Sequence, residues 1–501
     1  MRKQFEERNL TMVMDLYELT MANGYFRQGR MNEKVVFEVF YRKNPDNGGY
    51  AIFAGLEQVL EFLEHMRFTE ENIEYLKNLN LFQEDFLEYL RNFKFTGNVY
   101  ALKEGTIMYP NTPIMVIEAP IIEAQLVETA ILTQINHQSL IATKARRVVN
   151  AAQNRPVSDF GARRAHNNDA AVYGSRACYI GGVSNTATVM AGEYFGIPVF
   201  GTHAHSWIMS FPTEYDAFKA YAEVYPYACA LLIDTYDIFN SGLPNTIKLQ
   251  KEYFDVLNAK DGGNRRVHSV RIDSGDLAYE AKKIRQILDE NGMEYCKIVA
   301  SNSLDEITIR SLLNQGAPID IFGVGERMIV SKSDPVFGAV YKVCAVEKDG
   351  EYIPKMKLSE NAVKTTNPGM KQLWRVYDEN GKAIADLLTT WDEDPRKVLN
   401  IENAEPYPYI DPEKPWRKRS YKNCLVKKLL HKIVENGKYV GNKEDRELEN
   451  IRKYVNYQLN EEIWLEEQRF ENPHKHYLNF SPKLWDLKQN MIEELRVAEQ
   501  Y

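Results

Sequence analysis

Clustered cysteine is the first thing this 501-residue chain lacks: its five cysteines, Cys178, Cys229, Cys296, Cys344 and Cys424, are scattered, with no C-x-x-C pair. That spacing excludes a disulfide framework and a thiolate zinc site as organising devices, and it fits a reducing cytoplasm. Long apolar runs are missing too. The most apolar long stretch, APIIEAQLVETAILTQI, is broken by Glu123 and Glu128, so no membrane span is expected. The N-terminal MRKQFEERNL lacks the apolar segment of a secretion signal. Positive charge is in deficit, with 62 Lys and Arg against 70 Asp and Glu and a net charge of −8. General nucleic-acid binding needs a positive surface to displace counterions, and is excluded on that ground. One basic cluster, KPWRKRSYKNCLVKKLLHK, is read as a solvated helix face.

What remains is an ordinary globular composition, 44% hydrophobic and 26% charged, on a chain long enough for two or three domains. Between about residues 155 and 345, short apolar runs repeatedly end in small polar or acidic clusters: PVSDFGARR, IPVFGTHAHS, CALLIDTYD, VHSVRIDSGD, KIVASNS and PIDIFGVGE. Helical stretches separate them. LAYEAKKIRQILDENG ends at Gly292, well placed for a helix stop, and Ser303 with Glu306 in SLDE matches a capping box. Strands alternating with helices imply βαβ units and a parallel sheet. Because six strand ends carry polar groups, a TIM-like α/β barrel over 141–336 is preferred to an open doubly wound sheet.

Residues 1–140 predict a separate α+β domain. VVFEVFYRK, GNVYALKEGT and PIMVIEAP are its strands, GLEQVLEFLEHM is a helix, and Pro120 is placed to open a long helix through the 140s. FGAVYKVCAV, KQLWRVYD and AIADLL, in 337–400, are strands that return to complete that domain. The Pro-rich AEPYPYIDPEKPW then leads into a charged, mostly helical C-terminal extension over 401–501.

The strand ends hold the candidate chemistry. Arg163 and Arg164 offer planar forks for an anion. Arg271 and Asp273, two residues apart, share a strand face and put a cation beside an acid. Ser274 or Asp276 is left as a helix cap. Ser301 and Asn302 in ASNS, and Gly323 and Gly325 in FGVGE, form small turns suited to a phosphate cup. Asp234 and Asp237 of DTYD either orient a histidine or hold a magnesium-bound water. His203 and His205 in FGTHAHSW would share a face on a strand, which is how many metal sites begin. A barrel metallohydrolase needs further histidines at later strand ends, and these offer Asp, Ser, Asn and Gly instead, with His268 at the wrong end. Tyr17, on an amphipathic N-terminal helix, is taken on its own as a packed core tyrosine.

Taken together, MDLYELTMANGYF, FYRKNPDNGGYAIFAGLE, DFGARRAH, GGVSNTATVMAGEYFGIPVFGTHAHS, DTYD, VRIDSGDL, ASNSLDE, FGVGERM and KLSENAVKTTNPG resemble the nicotinate phosphoribosyltransferase family over most of residues 10–370. The resemblance implies an irregular α/β barrel, a homodimer with sites near the subunit interface, and phosphoribosyl transfer from phosphoribosyl pyrophosphate to nicotinate, coupled to ATP hydrolysis with Mg2+. It maps the family's T-x-A-H motif onto Thr202–His205, making His205 the phosphorylated histidine and His203 its variable neighbour. It also implies that Phe160 and Tyr17 sandwich the pyridine ring, with Tyr17 arriving from the partner subunit. Arg163 and Arg271 would bind nicotinate or pyrophosphate, Thr202 the carboxylate, and Asp273 would lie beside the ribose. Ser301, Asn302, Gly323 and Gly325 would meet phosphate. Glu326 stands where some relatives carry a small hydroxyl residue, which removes residue 326 from the phosphate contacts. The alternatives are a nicotinamide-specific enzyme, for which Ser184 and Asn185 occupy the discriminating place, a barrel metallohydrolase built on His203 and His205, and a non-catalytic metabolite-binding protein.

Overall fold

The computed structural model describes residues 8–359, 364–399, 407–422 and 424–498. Part of KLSENAVKTTNPG (360–363) and the start of the Pro-rich stretch (404–406) lie outside the described residues. The chain divides into two compact units, one made of Met1–Leu140 with Val336–Tyr501, the other of Ile141–Pro335.

The second unit is mixed α/β. Its strands Val157–Asp159, Asn185–Thr186, Cys229–Leu232, Val267–Ile272, Lys297–Ala300 and Ile321–Val324 form one sheet. Named by first residue, their spatial order is 185, 157, 321, 297, 267, 229, and every pairing is parallel. Runs such as Cys229–Leu232, buried at all four positions, are apolar on both faces because helices cover a parallel sheet. The helix Leu277–Glu290 lays Leu277, Ala281, Ile284 and Leu288 inward at i, i+4, i+7 and i+11. Burial of each large aliphatic side chain is worth about 1.5–3 kcal/mol. Asp276 caps this helix by accepting from the N–H groups of Ala278 and Tyr279, and Gly292, at φ +75°, closes it.

Two local expectations change in this unit. The helix after ASNS opens at Glu306 with Asp305 as its cap, accepting from Thr308 N, so Ser303 and Glu306 form no capping box. Glu306 instead takes Lys144 Nζ at 2.7 Å and Arg147 Nε at 3.1 Å, a buried pairing with residues 162 and 159 positions away that no local pattern announces. The strand ladder also stops short of a ring among the described residues: beyond Asn185–Thr186 it gains a bridge from Thr186 to Val199, and at the other end it finishes with Cys229–Leu232. The N–H of Leu232 on that last strand donates to His203 Nε2 at 3.3 Å.

In the first unit a seven-stranded sheet runs Glu351–Pro354, Val340–Lys348, Lys34–Phe40, Met115–Pro120, Asn98–Ala101, His431–Glu435, Lys438–Tyr439. The strand Val340–Lys348 lies antiparallel to Lys34–Phe40, so the chain comes back after residue 336 to pair with its own N-terminal region. A second sheet orders Lys418–Tyr421, Tyr407–Ile410, Leu478–Phe480, Ala383–Thr390, Lys371–Tyr377 and Leu425–Lys428. The expected mostly helical extension is corrected by this: the basic cluster from residue 414 onward is largely strand, and Leu448–Tyr457 and Pro482–Ala498 supply the helix. Cations there cap aromatic rings rather than lining a solvated helix. Arg419 lies 3.3 Å from the Tyr477 ring centroid and Lys427 lies 4.3 Å from that of Tyr377. Pro120 ends a strand and caps the short helix Ile121–Gln125; the long helix starts at Glu128.

Candidate functional site

Arg271, near the end of the strand Val267–Ile272, gathers most of the second unit's candidate residues around one guanidinium. Its Nη1 donates to Thr202 Oγ1 at 2.9 Å, its Nε to Ser301 Oγ at 2.9 Å, and its Nη2 to Asp273 Oδ1 at 3.3 Å. Ser301 Oγ in turn donates to Asp273 Oδ1. Asp273 follows directly on the strand Val267–Ile272, the expected pairing of cation and carboxylate forms, and both stay partly accessible, at 13% and 25%. The guanidinium carbon lies 5.5 Å from the Phe160 ring centroid.

Phe160 is seated by glycine. A Cβ on Gly323 would fall 2.5 Å from the Phe160 ring, and one on Gly325 would fall 3.1 Å from the Phe160 carbonyl oxygen. The two glycines of FGVGE therefore make room for Phe160, a role the sequence reading did not give them. Phe200 stands nearly parallel to Phe160, with ring centroids 6.5 Å apart at 12°. The turn is fixed from below by Asp159, which sequence reasoning passed over. Fully buried, its carboxylate accepts from Gly161 N at 2.8 Å, Ser175 Oγ at 2.7 Å and Thr186 Oγ1 at 2.8 Å, while burial pushes its pKa up. An acid placed directly before the FG of DFGARR was the signal available.

The arginine pair separates. Arg164 reaches Glu326 at 3.8 Å, and Glu326 is also held by Lys332 at 2.8 Å. Arg163 is exposed, and among the described residues it has no ion pair, which leaves its fork to an incoming anion. Asn302 and Ser303 take positive φ, +81° and +51°. Left-handed backbone at two consecutive non-glycine residues costs of order 1–3 kcal/mol each, and such strain concentrates at ligand-binding turns.

The two histidines have unlike surroundings. His203 is buried, accepts from Leu232 N–H through Nε2, and is pushed down to about pKa 4 chiefly by burial, so it is a neutral acceptor holding the sheet's last strand. His205 opens the short helix His205–Met209, and its Nδ1 meets Thr235 Oγ1 at 3.1 Å. Neither aspartate of DTYD holds that ring. Asp234 Oδ2 accepts from Asp273 N at 2.8 Å and Ser274 Oγ at 2.7 Å, while Asp237 caps the following helix at Phe239 N and Asn240 N. Thr235, one of the two residues between them, is the partner that sequence reasoning missed. No group of three or more potential metal ligands occurs among the described residues. Asp234 Oδ1 is buried without a partner beside this cluster.

Two remaining candidates stand apart. Asn185, on the strand Asn185–Thr186, keeps a buried side-chain oxygen without a partner. Tyr17 belongs to the first unit, on the helix Leu16–Arg27, where it is 44% exposed rather than packed in a core. Burial, then the charge of Glu128, raises its pKa, and its phenol hydrogen-bonds Glu128.

Three family models match the chain: the nicotinate phosphoribosyltransferase (NAPRTase) N-terminal domain over residues 12–136, the nicotinate phosphoribosyltransferase (NAPRTase) family over 156–381, and the nicotinate phosphoribosyltransferase C-terminal domain over 370–488. A Bacillus subtilis (strain 168) protein named nicotinate phosphoribosyltransferase is 40% identical over 493 residues, 98% of this chain and 97% of that protein. A human protein of the same name is 31% identical over 439 residues, 76% and 80% of the two chains. The crystal structure of human nicotinic acid phosphoribosyltransferase superposes with a TM-score of 0.81 at 27% identity, covering 96% of this chain and all (100%) of that one.

Proposed function

The chain belongs to the nicotinate phosphoribosyltransferase family, and we propose from its site that it makes nicotinate mononucleotide and pyrophosphate from nicotinate and phosphoribosyl pyrophosphate, with ATP coupled through His205. The observation that carries this reading is the convergence of Thr202, Ser301, Asp273 and the Phe160 face on Arg271.

In the reaction the bond from ribose C1′ to the pyrophosphate oxygen breaks while the pyridine nitrogen forms its bond to C1′. Positive charge develops on the ribose, and a carboxylate placed beside it lowers the barrier. Asp273 is that carboxylate. Its ion pair with Arg271 and its bond from Ser301 keep it aimed. The Phe160 face takes one side of the pyridine ring. Arg271 with Thr202 takes the carboxylate, and Arg163 with the turn at Ser301 and Asn302 takes phosphate oxygens. Asp234, with its unpartnered Oδ1, and Asp273 suit a Mg2+ bound to the diphosphate, since that ion usually takes one or two protein carboxylates and completes its shell with phosphate and water. The ion would neutralise charge on the leaving pyrophosphate.

For the coupled step, a ring nitrogen of His205 attacks the γ-phosphorus of ATP, a P–N bond forms, a P–O bond breaks and ADP leaves. About −1.5 to −2 charges are thereby added three residues from Thr202, which bonds Arg271, and this tightens or releases the neighbouring anion sites. Thr235 holds the ring through Nδ1 during this step. The sheet is read as an irregular barrel whose last seam is the Leu232–His203 hydrogen bond rather than a strand pair. We take the active form as a homodimer, supported by the apolar face of Leu16, Tyr17 and Met21, exposed at 52%, 44% and 40%. Phosphopeptide mapping after incubation with ATP tests the coupling: acid-labile phosphate on the peptide carrying His205 is expected, and its absence refutes the coupled step.

A further inference from the structure

The first unit carries a partly open pocket of about 500 Å3 whose lining includes none of the residues gathered around Arg271. Pockets for small organic ligands occupy roughly 300–1,000 Å3. Leu60, Leu102, Leu429 and Ile433 give this one an apolar floor.

Its walls repeat one device three times. A cation lies over a tyrosine ring and is tethered from the other side by a carboxylate. Lys103 is 4.9 Å from the Tyr454 centroid and 2.6 Å from Asp445. Lys427 is 4.3 Å from the Tyr377 centroid and 2.9 Å from Glu462. Arg446 is 4.8 Å from the Tyr439 centroid and bonds Glu57 twice at 2.7 Å. In two of the three the accessible charge is on the cationic side: Lys427 is 45% exposed and its Glu462 7%, Arg446 24% and its Glu57 10%. Asp445, at 41%, is the exception. Lys427, Lys428 and Lys432, which also line the cavity, come from the basic cluster that phosphoribosyl transfer leaves without a task.

We propose that this cavity is a second ligand site, which takes a planar aromatic anion of mononucleotide size. The floor and tyrosine edges accept the ring, and Lys103 with Lys427 accepts the anionic group. When the site is empty Asp445 and the buried Glu462 hold those ammonium groups in place. The inference does not depend on the assignment of the reaction.

Photolabelling of the full chain with 8-azidoadenosine 5′-monophosphate, followed by peptide mapping, tests it. Label is expected on peptides carrying Tyr377, Tyr439 or Tyr454. It should fall about tenfold in Lys103→Ala, and about tenfold when uncharged 8-azidoadenosine replaces the monophosphate, as loss of a charge-assisted bond predicts. Lys103 and Asp445 are both substantially exposed, so that variant keeps its fold and its phosphoribosyl transfer. Lys427→Met is the companion variant, with a melting curve to separate lost binding from the strain of an unbalanced Glu462. Label confined to peptides from residues 141–335, or cavity labelling unchanged both in Lys103→Ala and with the uncharged nucleoside, overturns the proposal.

Discussion

Arg271 makes three side-chain bonds in three directions, which a planar fork can do and an ammonium cannot match in geometry. Arg271→Lys keeps the charge and loses the fork, so kcat/KM for nicotinate should fall about 10- to 100-fold with no change in melting temperature. Steady-state kinetics beside a thermal melt checks this. Thr235 should behave differently. Thr235→Val removes the Nδ1 partner of His205 without touching the Arg271 cluster. We expect phosphorylation of His205 to slow about 10- to 100-fold while KM for nicotinate holds, as measured by rapid-quench formation of acid-labile phosphate. At this scale the sequence was legible where an acid follows two residues after a cation at a strand end, as Asp273 follows Arg271. It was not legible where the partner comes from another strand end. Thr235 and Asp159 act through bonds to residues 30, 16 and 27 positions away; the acid before FG was the one local sign of Asp159, and Thr235 had none.

Elements were easiest to read where they are regular and hardest where a long-range contact decides. The alternation of short apolar runs with helices announced the parallel sheet, because both the period and the small polar ends follow from burial on two faces. The stop at Gly292 followed from its left-handed backbone. The strands after residue 407 escaped notice because their lysines and arginines, which look solvated in composition, spend their charge over aromatic rings. FGVGE teaches a related lesson. Its glycines look like a phosphate turn, yet Gly323 is pressed against Phe160. Gly323→Ala should push the Phe160 ring aside, raising KM for nicotinate about tenfold or more while leaving the fold intact, because the strain of an overpacked site, ~1–3 kcal/mol, is taken up by the ring. A KM that does not move would mean that Phe160 is not part of the nicotinate site.

Across the whole molecule, two buried histidines tie stability to pH in opposite senses. In the second unit His203 has a depressed pKa, about 4, so its contribution is complete above the ordinary imidazole value of ~6.5 and is lost as pH falls toward 4. In the first unit burial opposes a charge on His476, but Glu467 at 3.1 Å and Asp386 at 3.3 Å outweigh it and raise its pKa. Its contribution is complete below ~6.5 and is lost as pH rises through the raised value. Arg375 and Tyr109 complete this cluster: Arg375 pairs with Asp386 at 2.7 Å, and the Tyr109 ring stacks on His476 at 3.7 Å while its hydroxyl donates to Glu467. His476→Gln should lower unfolding free energy by about 3–5 kcal/mol near pH 6, the cost of breaking a buried charge pair, and should flatten the alkaline limb. Denaturant titrations from pH 5 to 9 would reveal both effects, and an alkaline limb unchanged by the substitution would show that His476 does not carry it.

The measurement that bears most directly on the account is product formation from phosphoribosyl pyrophosphate with nicotinate or nicotinamide, with and without ATP, in the unaltered chain and in His205→Ala. The account predicts nicotinate mononucleotide as the main product, stimulated by ATP in the unaltered chain and insensitive to ATP in His205→Ala. A preference for nicotinamide, or full ATP stimulation without His205, would contradict it.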